Sequence, residues 1–245
     1  MRPVRTLGLL AVVGTVVVHP VRGQTNRIPE SEAAASPGWT FSFTPFLWGA
    51  GLDGRVGLGS NVSDVSIGIG DVIDQFDIGL MGLLEARRMP FVLRTDLFWV
   101  SLGDEQPDHT VDQEQLILQP EAGYSIVSRP WGGIDALVGA RYWHVSVDLV
   151  QPSQTISGDR HWIDATFGAA MRYQPADRWH LFAKADVGGG ASKFSWLGVG
   201  GAGFDLGRCC TLDAAYRYLD VDYDHDAFVY DVHLDGPAVG LTIHF

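Results

Sequence analysis

Opposite charges recur two residues apart along this chain. Glu85 and Arg87 form one such pair, Arg94 and Asp96 a second, Lys184 and Asp186 a third. Even spacing continues in Asp135 with Arg141, Asp164 with Arg172, and Asp213 with Arg217, and Glu121 keeps the same relation to its apolar neighbours. On a strand, even spacing puts such residues on one face. If several such faces converge, the chemistry is that of an ionic network. Other groups suggest other chemistry. Asp220, Asp222, Asp224 and Asp226, with His225, offer oxygen ligands to a divalent cation, in the modest form one bridging to lipid phosphates. They lack the Gly and the bidentate Glu of an EF-hand, and a solvated loop is the expected reading. His144 with Ser146 has no third group in a recognisable motif, so no catalytic residue is assigned. No metal site and no cofactor are expected. Cys209 and Cys210 are the only cysteines, and neighbours in sequence do not meet ordinary disulfide geometry, so no role is given to them.

The elements that must position these charges alternate with period two. Trp39, Phe41, Phe43, Pro45 and Leu47 share one parity, and Thr40, Ser42 and Thr44 the other. That is a strand with one apolar and one polar face. The pattern recurs at about 76–88, 91–102, 114–127, 134–149, 161–173, 179–190, 194–205, 210–222 and 228–245, which makes about ten strands. The charged residues oppose the apolar face throughout. Asp135 and Arg141, for example, oppose Ile134, Ala136, Val138 and Tyr142. Glu114 and Asp148 break the rule at segment ends.

Two arrangements fit this pattern. The polar face is either ordinary surface over an apolar core, or a lumen whose apolar outside meets lipid. An apolar core would not accept the charges, since burying each without compensation costs several kcal/mol. The polar parity also carries Gly79, Gly123, Gly139, Gly168, Gly188 and Gly240. Glycine is a poor choice for an exposed strand but suits a crowded lumen.

Composition narrows the class. Of 245 residues, 17 are Lys or Arg and 29 are Asp or Glu, for a net charge of -12. A nucleic-acid binder would carry the opposite balance. Arg2 and Arg5 precede an apolar stretch from Thr6 to Val18, and Val21 and Gly23 suit the cleavage subsites. Residues 1–23 therefore read as a secretory signal cleaved after Gly23. Residues 24–38 show no periodicity and read as a mobile leader, and 39–245 as the folded barrel.

The connections alternate as well. Arg88–Pro90, Ser128–Gly133, Gln174–Arg178 and Leu206–Cys209 are tight turns. Gly51–Gln75, Gly103–Gln113, Gln151–Arg160, Gly190–Lys193 and Asp222–Ala227 read as loops, mostly longer and polar, and Asp71 to Asp77 as a short helical turn within the longest of them. Short turns at one end and loops at the other fit a closed antiparallel up-and-down transmembrane β-barrel in the outer membrane, of about ten strands or, alternatively, eight. Trp39, Phe91, Trp131, Tyr173 and Trp179 would form the girdle beside the tight turns, and Trp99, Trp162 and Trp196 the other. Glu85, Arg87, Arg94 and Asp96 would lie near the periplasmic end, with Glu121, Asp135, Arg172 and Asp213 at the same level, as a layer that seals the lumen.

The chain ends Val239-Gly240-Leu241-Thr242-Ile243-His244-Phe245. This resembles the C-terminal signal read by barrel-assembly machinery, with Phe245 as the recognition residue. Residues 39–245 resemble the small outer-membrane barrels of the OmpA/OmpW-type superfamily. More narrowly, Phe43-Thr44-Pro45-Phe46-Leu47-Trp48, Gly51-Leu52-Asp53-Gly54, Asp71-Val72-Ile73-Asp74-Gln75-Phe76-Asp77, Gly139-Ala140-Arg141-Tyr142-Trp143 and Tyr216-Arg217-Tyr218 resemble a poorly characterised family within it. The resemblance implies fold and location rather than chemistry. It implies a monomer in contact with outer-membrane lipid and lipopolysaccharide, delivered by periplasmic chaperones. The expected role is structural or interactive. A narrow channel for ions or small hydrophilic solutes is the alternative, ahead of a soluble periplasmic ligand-binding barrel or a lipid-modifying enzyme.

Overall fold

The computed structural model describes residues 38–58, 61–70, 76–105, 110–151, 154–225 and 228–245. The expected export signal, 1–23, and all but the last residue of the expected leader, 24–38, lie outside the described residues. Twelve strands follow in chain order: β1 (Thr40–Trp48), β2 (Gly51–Leu58), β3 (Asn61–Ile67), β4 (Phe76–Arg88), β5 (Phe91–Glu105), β6 (Thr110–Arg129), β7 (Gly132–Gln151), β8 (Gln154–Ala176), β9 (Trp179–Gly190), β10 (Phe194–Asp205), β11 (Cys210–His225) and β12 (Phe228–His244). β1 pairs with both β4 and β12, so β1 and β4 to β12 close into a ten-stranded antiparallel ring. Closure leaves that ring no free edge. The count is the expected ten rather than eight, and β10 coincides with the segment expected at 194–205.

The loops differ from expectation. Residues 51–75 read as the longest loop, but β2 and β3 occupy most of that stretch. β12 pairs with β1 through Ala238–His244 and with β2 through Phe228–Asp235, so β1 and β2 run in succession along one strand. β3 folds back on β2. The helical turn expected from Asp71 lies outside the described residues as far as 75, and Phe76 and Asp77 already belong to β4. Likewise β5 reaches Glu105, β7 reaches Gln151 and β11 reaches His225. The acidic run at Asp220, Asp222 and Asp224 is therefore strand and not loop, while Asp226 lies outside the described residues. β8 alone has 23 residues. A tilted crossing takes about 9–11, so the strands rise well beyond a bilayer.

Side-chain facing explains why. Around the ring, Leu84, Leu93, Val138, Ile163, Phe167, Leu181, Val187, Leu212 and Val239 point outward and are exposed. So continuous an apolar band is not a water-facing surface; it is the outer wall of a transmembrane barrel. On β8 the band runs from Tyr173 to Ile163, about the length of one crossing. Beyond it the outward residues are His161 and Asp159. Trp39, Phe91, Trp131, Tyr173 and Trp179 are exposed beside the tight turns, as expected of a girdle. Of the other girdle, Trp196 faces outward and stacks on Tyr218 at 4.6 Å. Trp162 does not belong to it: it is buried inside, stacked on Tyr223 at 4.1 Å and on Trp143 at 5.4 Å.

Candidate functional site in the barrel lumen

The interior has two tiers. The tier between the tight turns and mid-barrel is ionic. All thirteen charges expected there have the inward parity, and eight of them (Asp96, Glu121, Asp135, Arg141, Asp164, Lys184, Asp186 and Arg217) are buried. They divide into clusters. Nearest the turns, Arg87 pairs with Asp135 at 2.7 Å and with Glu85 at 3.2 Å, and Arg94 pairs with Glu85 at 3.3 Å. Arg217 donates to both oxygens of Asp96, at 2.8 and 3.1 Å, and lies over the ring of Trp48 at 4.8 Å. At mid-height Lys184 bridges Glu121 at 2.7 Å and Asp186 at 3.2 Å, while Arg141, fully buried, pairs with Asp186.

Four expectations need correction. Glu121 joins the mid-height cluster and not the layer nearest the turns. Asp164 lies opposite Arg141 in the ladder but accepts the Ser192 N–H at 2.8 Å, capping the β9–β10 turn. Arg172 has no acid within ion-pair distance among the described residues. Asp213 accepts from Thr242 at 2.6 Å and lies 3.4 Å from His180 Nε2.

Two lumen residues were missed from sequence. Gln119, 1% exposed, accepts from Arg141 and donates to Glu121 and Asp186, tying the cluster together. It shares the parity of Glu121, a signal passed over because Gln carries no charge. His180 shares the parity of Lys184 in the same way. The glycines make room, as expected. A Cβ on Gly139 would sit 2.3 Å from the Pro120 carbonyl oxygen, and one on Gly168 2.5 Å from Asp186 Cβ.

The second tier lies farther from the turns and is apolar. Trp48, Phe98, Ile117, Trp143, Val145, Trp162, Leu197, Leu219, Val221, Tyr223 and Tyr230 form one packed cluster inside the ring. The ionic layer nearest the turns is thus not the only barrier in the lumen. The cluster contains one inward hydrogen-bond pair, Gln115 to the Tyr230 hydroxyl at 3.0 Å.

The outer wall around this tier is polar. Asp220, Asp222 and Asp224 face outward from β11, between the inward Val221 and Tyr223. Lys193 pairs with Asp224 at 2.9 Å and Asp222 at 3.5 Å. That hydrogen bond to Asp224 and the neighbouring charges hold its ammonium above its ordinary pKa. On the same wall Asp53, His233 and Asp235 bring potential ligand atoms within 4.8 Å of one another. Both carboxylates already accept hydrogen bonds, Asp53 from Ser66 and Asp235 from Tyr216. His144 lies on the outer wall too. Its Nε2 is 3.6 Å from Asp159, a carboxylate on the next strand that sequence spacing does not reveal. Among the described residues no hydrogen bond joins His144 to Ser146, so no base–nucleophile pair is formed. Cys209 and Cys210 lie with their sulfurs 3.2 Å apart, hydrogen-bonded and not joined in a disulfide.

No protein-family model matches the chain, and no curated protein matches it by sequence. Solved structures match it by fold. The outer membrane protease OmpT of Escherichia coli does so with a TM-score of 0.58 at 7% identity, over 86% of this chain and 98% of that one. The translocator domain of the autotransporter NalP from Neisseria meningitidis matches at 0.44 and 14% identity, over 87% of this chain and 90% of that one. The Ail protein of Yersinia pestis matches at 0.39 and 13% identity, over 86% and 100%. At 7% identity the likeness to OmpT is one of fold, and the fold is that of an outer-membrane β-barrel.

Proposed function

We propose that this chain is an exported integral outer-membrane β-barrel whose lumen is closed, with a structural or interaction role rather than a catalytic or conducting one. One observation carries the reading: an apolar outer band surrounds an ionic interior that is capped by a packed aromatic tier. The outer band fits lipid and argues against a soluble ligand-binding barrel. The capping tier argues against a channel, because a path for ions needs polar lining throughout. Outer-membrane lipid and lipopolysaccharide would surround a monomer. The barrel-assembly machinery and periplasmic chaperones would deliver it, with Phe245, exposed beyond β12, as the residue recognised.

Planar-bilayer recording tests this. Wild type is expected to give no stable conductance. The double variant Arg87→Ala with Arg94→Ala is expected to stay closed as well, because the aromatic tier lies beyond the layer it disturbs. Stable porin-sized currents from wild type would overturn the closed-barrel reading.

A further inference from the structure

The ionic tier is not completely filled. A cavity of about 170 Å³ lies in it, open toward the tight-turn end and ending beneath the aromatic tier. The charges at its rim do not cancel. Arg87, Arg94, Arg172, Lys184 and Arg217 line it with Glu85, Asp96, Asp135 and Asp213, five cations against four anions, and Glu85 and Asp135 are the acids that meet Arg87 and Arg94. Both acids are already engaged, Asp135 by Arg87 and Ser125, and Glu85 by Arg87 and Arg94. Arg87 is engaged by both of them, whereas Arg94 and Arg172 keep donors free of an acid. Arg94 is largely buried, yet among the described residues its Nε–H has no partner, and its one ionic contact is the 3.3 Å approach to Glu85. Arg217, whose side chain is 5% exposed, likewise has an unpartnered Nε–H at the cavity wall. A buried donor left unpaired costs free energy that an acceptor would recover.

Most of the remaining wall surface is apolar, with Phe46, Leu83, Phe182 and Val199 facing the space between polar Thr44, Asp96, Lys184, Asp213 and Thr242. Guanidinium forks match carboxylates with two parallel hydrogen bonds. An apolar cavity of about 150 Å³ accommodates benzene, so the volume sets the size of the body that can follow the carboxylate inside. We propose that this cavity is a binding site for a small carboxylate on a short apolar body, entering from the periplasmic side, its carboxylate held by Arg94 and Arg172. The site is blind, so the ligand leaves the way it came. This rests on the closed-barrel reading for its blind end but not for its anion chemistry.

The test uses the full mature chain in nanodiscs and benzoate as the probe, followed by saturation-transfer NMR and calorimetry. Benzyl alcohol and benzylamine control for partitioning into lipid. Saturable benzoate binding is expected, at least tenfold tighter than that of either control. Arg172→Gln is expected to weaken it at least tenfold. Arg172 has no ion-pair partner among the described residues, so the variant should fold, as its heat-modifiable gel mobility will report. Arg94→Gln should weaken binding similarly, with Glu85 still paired to Arg87. Equal binding of benzoate and benzyl alcohol, an unchanged Kd in well-folded Arg172→Gln, or no saturation at millimolar benzoate would each overturn the site. Hexanoate and a long-chain fatty acid form a further arm. Preference for the long chain would overturn the size limit set by the cavity. Conductance in planar bilayers is a separate readout: a conducting wild type that still binds benzoate through Arg172 would overturn the closed barrel and leave the anion site standing.

Discussion

The half of the barrel near the tight turns and the half away from them are built with opposite polarity. Along β11, Leu212, Ala214 and Tyr216 face out while Asp213 and Arg217 face in. A few residues on, Asp220, Asp222 and Asp224 face out while Leu219, Val221 and Tyr223 face in. β12 reverses in the same way, from outward Val239 and Leu241 to outward His233, Asp231 and Asp235. Along both strands the period-two alternation holds through the reversal; what changes is which face is polar. What a strand places inside thus depends on the solvent outside. Against lipid the outer residues must be apolar, so the strand's polar half is left to the lumen and has to pair with itself. Above the lipid the outer residues meet water, and the interior is free to pack as in a soluble protein.

This contrast can be broken most sharply in the ionic tier. Arg141→Ala leaves Asp186, 3% exposed, short of a partner, and is expected to cost roughly 3–5 kcal/mol. Arg141→Met with Asp186→Leu should recover most of that loss, because an apolar pair of similar volume is about neutral. Denaturant unfolding in detergent measures both, and a silent Arg141→Ala would mean that water fills the tier. In the apolar tier, Trp162→Ala removes the ring stacked between Trp143 and Tyr223 and should cost about 3–5 kcal/mol. No second substitution is expected to rescue it by restoring charge balance. On the outside, the two halves should respond differently to one residue type. Val138→Arg, in the apolar band at 49% exposure, should cost about 2–4 kcal/mol near the bilayer midplane. His161→Arg, beyond the band, should change stability by no more than about 0.5 kcal/mol. Folding yields into vesicles compare the pair, and equal losses would erase the boundary drawn between them.

The lower half was legible in the sequence because charge on a strand is a strong signal. Each of the thirteen charges was found on the inward parity. Their partners were not legible, since pairing across a lumen depends on which strands the ring brings opposite each other. Asp164 went to a turn amide and Glu121 to Lys184, choices invisible in spacing. The upper half was misread. Its outward acids read as loops, since polar residues near Gly and Pro usually mean loops, and Trp162 reads as a girdle residue, since aromatics near strand ends usually sit at the headgroup level. The clue was there in Glu114, on the otherwise apolar parity of β6. It faces outward and accepts the Trp99 indole N–H at 2.7 Å. That exception at a strand end marks a reversal of faces, not an ending of the strand.

The junction where β1 leaves β4 has its own consequence. Beyond Pro45 and Gly82, β4 runs on to Phe76 with β5 as its only strand partner among the described residues. β8 is likewise one-sided over Gln154–Ile163, laddered to β7 alone among the described residues. In a closed cylinder the last pair of strands to meet carries the entropic cost of ring closure, and the same pair is the first to part. Amide exchange should therefore be fastest along that stretch of β4 and slowest around β7, which is laddered to β6 and β8 over nearly its full length. The barrel would then open as a coat does, from one unbuttoned margin, rather than coming apart at every stave at once.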